Sequence, residues 1–160
     1  MTKTLGVLVA LLMLVGVVFM LLGWWSARMA PSAGGVNNGR LAACPSEPHC
    51  VCSDAGSQSD ALHWIEPIPL PQLADDIRWR VIGEVITASG GMVVHQDAGY
   101  LHATYTSGFR FVDDLELRVD GPQLQLRSTS RVGYSDLDAN RKRVEDLRAR
   151  LALAFKDMKS

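Results

Sequence analysis

Two stretches of this chain hold the side-chain types that chemistry uses. The first is Cys44-Pro45-Ser46-Glu47-Pro48-His49-Cys50-Val51-Cys52. Thiols beside an imidazole are the donors of a disulfide, a zinc site or a redox thiol. The stretch lacks the C-x-x-C spacing of a zinc knuckle. Cys50 and Cys52, one residue apart, are poorly spaced to bridge each other without strain. The second stretch is polar: Asp113, Asp114 and Glu116, then Arg127, Ser128 and Arg131, then Tyr134, Asp136, Asn140 and Arg141. A planar guanidinium fork suits phosphate or carboxylate, so Arg127, Arg131 and Arg141 are candidate donors to an anionic head group or small molecule. Asp113 and Glu116 are the candidate base and acid of a hydrolase. The competing reading is structural: an Asp114–Arg127 pair fixes a hairpin, while Ser135 and Asp136 cap a helix. His63, His95 and His102 are scattered, and His102 has no evident acidic partner. A phosphate-cradling glycine loop, a Gly-x-Ser-x-Gly elbow and an HExxH pair are all missing from the sequence. Neither a cofactor nor a metal is expected.

Strands must carry the acids, and a helix must follow them. Asp120-Gly121 between two apolar-polar alternations signals a hairpin of Phe109–Val119 with Pro122–Ser130. With Asp120 and Gly121 as its turn, Leu117 faces Leu124 and Leu115 faces Leu126. Asp114 then stands opposite Arg127, and Glu116 opposite Gln125. Side chains alternate along a strand, so Asp113 and Glu116 point to opposite faces and cannot share one site. Asp113 should lie on the core side near Ser128. A helix is expected from about Leu137 to Lys156, with Ser135 and Asp138 as a capping box and Val144, Leu147, Leu151, Ala154 and Phe155 as its buried stripe. Its outer face offers i,i+4 pairs, Arg141 with Glu145 among them. Upstream, Leu73, Ile77, Val81 and Val85 recur every four residues with Trp79, Ile82 and Ile86, predicting a second helix that Gly90 and Gly91 end. Leu62–Leu70 is a short edge strand, limited by Pro67, Pro69 and Pro71. Met92–His95 and Tyr100–Ser107 are two more strands. The order strand, helix, four strands, helix is α+β: an antiparallel sheet with helices on one face, a two-layer sandwich.

Leu5 to Trp25 contains no charge. Those 21 residues make a helix of about 31 Å, enough to cross the hydrocarbon of a bilayer. Trp24 and Trp25 mark its interfacial end. The run exceeds the apolar core of a cleavable signal, and cutting after Ala27 or Ala30 would put Trp25 or Arg28 at the −3 position. Leu41-Ala42-Ala43-Cys44 resembles a lipidation site, but residues 26–43 separate it from the apolar run. The domains read as a flank (1–4), a transmembrane anchor (5–25), a flexible tether rich in Pro, Gly and Asn (26–43) and a soluble domain (44–160). The net charge of −1 gives no basis for a nucleic-acid partner. Lys3 on one side and Arg28 and Arg40 on the other barely decide orientation.

Three groups of residues carry a resemblance: the cysteine stretch through Ser53; Val112-Asp113-Asp114-Leu115-Glu116; and Arg127-Ser128-Thr129-Ser130-Arg131-Val132-Gly133-Tyr134-Ser135-Asp136-Leu137 with Asn140-Arg141-Lys142-Arg143. From Cys44 to Leu151 the chain resembles the family called domain of unknown function 1499. It departs from the family pattern at His49 (Asn there), Cys52 (Ser) and Asp138 (Gly). The resemblance implies a small domain often attached to a membrane, and no reaction. Cys44 and Cys50 match the family's two cysteines and would close a small proline-containing loop as a disulfide, leaving Cys52 free. A metal site from Cys44, His49, Cys50 and Cys52, or a redox role for Cys52, is the alternative. A disulfide would place the domain outside the reducing cytoplasm.

The expected protein is a single-pass membrane protein with its C-terminal domain extracytoplasmic. That domain would be a binding or accessory module for an envelope lipid, a metabolite or a membrane-protein partner. A hydrolytic enzyme using the Asp/Glu/Arg cluster and a structural assembly partner are the other two readings.

Overall fold

A computed structural model describes residues 2–55 and 58–158. The apolar run is a single helix, α1 (Thr2–Arg28). Its side chains from Leu5 to Leu22 are largely exposed, and its length and apolar composition suit a membrane anchor or a signal. The described residues then form two short paired strands, β1 (Val36–Asn37) and β2 (Arg40–Leu41), followed by β3 (Cys50–Cys52) and β4 (Ile68–Pro69). Helix α2 (Asp75–Ala88), strands β5 (Gly91–Asp97), β6 (Tyr100–Thr106), β7 (Val112–Asp120) and β8 (Gln123–Ser130), and helix α3 (Ala139–Asp157) complete the chain. From β4 onward this is the expected α+β order.

The main sheet runs β3-β8-β7-β6-β5, every pair antiparallel, with β4 pairing the other end of the β8 edge that β3 occupies. Alternation sends Leu101, Ala103, Leu115, Leu117, Leu124 and Leu126 to one face, where each is fully buried. Helices α2 and α3 cover that face with Trp79, Ile82, Ile86, Val144, Leu147 and Leu151. Burying a Leu or Ile side chain contributes about 1.5–3 kcal/mol, so this two-layer core is the main source of stability.

Three local expectations are corrected. The β7–β8 register is slipped by two residues: Leu117 faces Leu126, Val119 faces Leu124 and Asp120 faces Gln123. The turn is therefore Gly121-Pro122. Pro122 has no N–H to close a hairpin after Asp120-Gly121, whereas Gly121 adopts φ +57°, as the first central residue of a tight hairpin turn. A slip of two preserves the faces and changes the partners, so Glu116, not Asp114, stands opposite Arg127. The Ser135–Asp138 capping box does not form. Leu137 and Asp138 both adopt left-handed φ, and Asp136 caps α3 instead, its carboxylate accepting the Asn140 N–H at 2.8 Å. Arg141 makes no pair with Glu145; it donates to the carbonyls of Ala61, Leu62 and Trp64.

The expected flexible tether lies on the protein. From Met29 to Leu41 it crosses the outer face of the sheet and ends with Leu41 buried. The Leu41 N–H donates to Asp54, which also holds Arg118 through two bonds of 2.8 Å.

Candidate functional site

The outer face of the sheet is where the chain concentrates buried charge. Asp114 and Glu116 are two apart on β7, so both point outward. Each is fully buried. Arg127 on β8 donates to Glu116 at 3.0 Å, and the Tyr100 hydroxyl donates to the same carboxylate at 2.9 Å. Arg131, just beyond β8, grips Asp114 with two bonds of 2.8 and 2.9 Å. His102 Nε2 lies 2.8 Å from Asp114 Oδ1, so the histidine expected to lack an acidic partner has one. In the β6–β7 register Thr104 faces Asp114, which puts His102 one diagonal step away.

A strap of main chain closes this array. The Ser32 N–H donates to Asp114 at 2.8 Å, and the Gly35 N–H to Glu116 at 2.8 Å. In return, Arg127 donates to the Ser32 carbonyl at 2.9 Å and Arg131 to the Met29 carbonyl at 3.1 Å. Gly35 sits at φ +66°, which a residue with a side chain rarely adopts. Burial alone would raise the Asp114 carboxyl. The bonds from His102, Arg131 and the Ser32 N–H outweigh it and hold the group well below the usual carboxylate range. Burial, followed by the Glu116 charge, pushes the Tyr100 phenol well above its usual value. With Asp114 ionised, its His102 partner must be the donor, so Nε2 carries the proton.

The sequence-predicted residues divide into three groups. Asp114, Glu116, Arg127 and Arg131 meet at the strap, where both arginines already hold carboxylates and carbonyls. Asp113 points to the helix side and pairs with Arg143, which also donates to Ser128 and Asn140. Asn140 is buried among Ser128, Ser130 and the His49 carbonyl. Asp113 and Glu116 therefore stand on opposite faces, as alternation requires. Asp136 joins the second group only through the Asn140 N–H, while Tyr134, 76% exposed, and Arg141, spent on the carbonyls of Ala61, Leu62 and Trp64, stand apart from both clusters. Sequence reading missed His102, Tyr100, Arg143 and the strap.

Two cavities adjoin these groups. One of about 740 Å³ lies between the strap and β6, with Gly34, Gly35, Tyr100, His102 and Arg118 in its lining. A second, of about 420 Å³, lies between α1, Phe111 and the connection into α3, and Asp113 and Asp136 reach its rim.

Cys44 and Cys50 form a disulfide, Cα–Cα 5.6 Å. Cys52 is free and buried, and burial pushes its thiol up. Oxidised to each other, Cys44 and Cys50 offer no thiolate to a metal. Both ring nitrogens of His49 are buried without a partner among the described residues.

The domain is seated on the end of α1. Ser26 Oγ accepts the buried Val112 N–H at 3.0 Å. Phe19 packs on Phe109 and Phe111, centroids 5.5 and 6.2 Å away. A Cβ at Gly23 would fall inside the van der Waals shell of the Phe109 carbonyl oxygen.

Residues 40–151 match the family described as a protein of unknown function, DUF1499, and the chain belongs to that family. Neither a curated protein nor a solved structure gives a significant match.

Proposed function

We propose that this DUF1499 protein is a membrane-anchored, extracytoplasmic binding module whose ligand is a lipid of the membrane that holds it. The observation that carries the reading is the seating of the domain on its own apolar helix. Gly23 and Ser26 hold the helix end against the chain between Ser107 and Val112, and Phe19, six residues before Trp25, already touches the domain. A module that only needed a leash would make no such contacts. The Cys44–Cys50 disulfide supports the outside location, because thiols are kept reduced in the cytoplasm.

Membrane retention and topology test it together. The full chain, expressed in its host and carrying a reporter after Ser160, should resist alkaline carbonate extraction at full length. The reporter should read out on the extracytoplasmic side. A soluble product lacking residues 1–30, or a cytoplasmic reporter, would overturn the reading.

One observation favours a second reading, acid–base catalysis. His102 is held by an ionised carboxylate and lines the cavity beneath the strap, the arrangement of a base with its orienting partner. His102→Asn should then abolish turnover of an envelope substrate at unchanged melting temperature. If no activity is lost and the melting temperature falls instead, His102 is part of the strap lock alone.

A further inference from the structure

The cavity of about 420 Å³ falls in the size range of small-ligand sites, and its position selects its occupant. Two of its walls, Phe19 and Leu22, belong to α1. Phe19 is six residues before Trp25, about 9 Å along the helix axis. With the tryptophans at head-group level, Phe19 stands among acyl chains. The cavity is thus continuous with the lipid-facing surface of α1.

The loops around it are built for the same environment. Phe109, Tyr134 and Leu137 are 56%, 76% and 83% exposed. Leu137 also adopts φ +54°, a strained conformation for a bulky residue, while its side chain is held outward. Apolar side chains exposed on the loops that line one cavity are unfavourable in water and favourable in hydrocarbon.

The inner rim adds a polar match. Ser107 Oγ accepts the Phe111 N–H at 3.2 Å, and Ser130 Oγ accepts from Asn140 at 3.0 Å. Each hydroxyl keeps its own O–H, with no acceptor among the described residues. A lipid ester carbonyl is such an acceptor. Of the two carboxylates in the lining, Asp113 is neutralised by Arg143, and Asp136 is held by the Asp138 and Asn140 N–H groups at the start of α3.

We infer that this cavity takes one acyl chain of a membrane glycerolipid, entering sideways from the bilayer between α1 and Leu137, with its ester carbonyl toward Ser107 and Ser130. The inference rests on α1 being a retained anchor.

The full chain is reconstituted in vesicles of phosphatidylethanolamine and phosphatidylglycerol, doped with a phosphatidylcholine bearing a diazirine on its acyl chain. After photolysis, adducts are mapped by mass spectrometry. Label is expected on α1, on Phe109 and on the cavity wall 130–139. Leu137→Asp puts a charge at the mouth, and Ala139→Trp fills it. Each buried methylene is worth about a factor of four, so losing room for two should cut wall labelling by more than about tenfold. Labelling of α1 should be unchanged, with circular dichroism reporting the fold. Label on α1 but none on the wall of the wild type would overturn the cavity and leave the anchor standing. Wall label insensitive to both variants would mean surface contact only, and would also overturn it. Absence of label on α1 would overturn the anchor and the cavity with it.

Discussion

Gly23→Val should free the domain from its helix while leaving the helix in the membrane. The new Cβ would meet the Phe109 carbonyl oxygen inside contact distance and the carbonyl carbon at 2.8 Å, both backbone atoms that cannot rotate away. Either α1 or the Ser107–Phe111 loop must therefore move. Movement breaks the bond from the Val112 N–H to Ser26, and a buried N–H left unpaired costs about 1–3 kcal/mol. It also separates Phe19 from Phe109 and Phe111, at about 0.5–1.5 kcal/mol for such an aromatic pair. The sum over the N–H and both aromatic pairs, about 2–6 kcal/mol, lowers the docking equilibrium by a factor of about 30 to 2 × 10⁴. Valine favours insertion, so the anchor itself is not weakened. The assay is pulsed electron–electron double resonance between spin labels at Leu12 and Leu153, both exposed, in lipid nanodiscs. The wild type should give one narrow distance distribution and Gly23→Val a broad one. Gly16→Val is the control, since a Cβ at Gly16 meets nothing within 4 Å. A narrow, wild-type distribution for Gly23→Val would refute the docked arrangement.

The strap should open in acid. Asp114 titrates lower in the folded protein than in the open chain, so its contribution is fully present above about pH 4 and is lost as pH falls toward the folded value. Protease cleavage within 29–35 should rise over that range, and Asp114→Asn should cut readily even at neutral pH. Asn140→Ala strips partners from Ser128, Ser130 and the His49 carbonyl, so a loss of about 3 kcal/mol is expected; a denaturant midpoint unchanged from wild type would count against the network. Replacing Cys44 and Cys50 by serine should cost about 2 kcal/mol, the loop they close being short. In the same denaturation series Cys52 should resist alkylation until the domain unfolds, since it is buried and its thiol is pushed up.

What could be read from the sequence was whatever repeats. The periods of α2 and α3 and the alternation along β6, β7 and β8 gave the layers, the buried face and the separation of Asp113 from Glu116. What failed depended on single residues or on main-chain partners. One missing N–H at Pro122 moves the hairpin turn and so exchanges Asp114 for Glu116 as the partner of Arg127. Two left-handed residues, Leu137 and Asp138, take the cap from Ser135 and give it to Asp136. The His102–Asp114 contact follows from the β6–β7 register, and the intervening loop carries no two-residue turn signal to fix it. The strap was invisible for a different reason. A segment rich in Pro, Gly, Ser and Asn has the composition of a free linker whether or not its N–H groups find carboxylates. Two buried acids on one outward face were the available signal, because such groups must be paired.

The strap also accounts for where the charges are. A buried ion pair seldom adds stability over well-packed apolar residues, but breaking one costs about 3–5 kcal/mol. Here the two acid–arginine pairs bond to the main chain at Met29, Ser32 and Gly35, the residues that leave α1. An apolar face could hold a covering segment, but in no particular register. Carboxylates and guanidinium groups fix it at named N–H and carbonyl groups. Ser26 and Gly23 fix the same connection from its other end. The domain is thus held in one orientation on the end of α1 from both sides of residues 26–35. Such fixing supports the proposed reading, in which one face of the domain is presented to the lipid, over one in which the domain acts from the end of a loose leash.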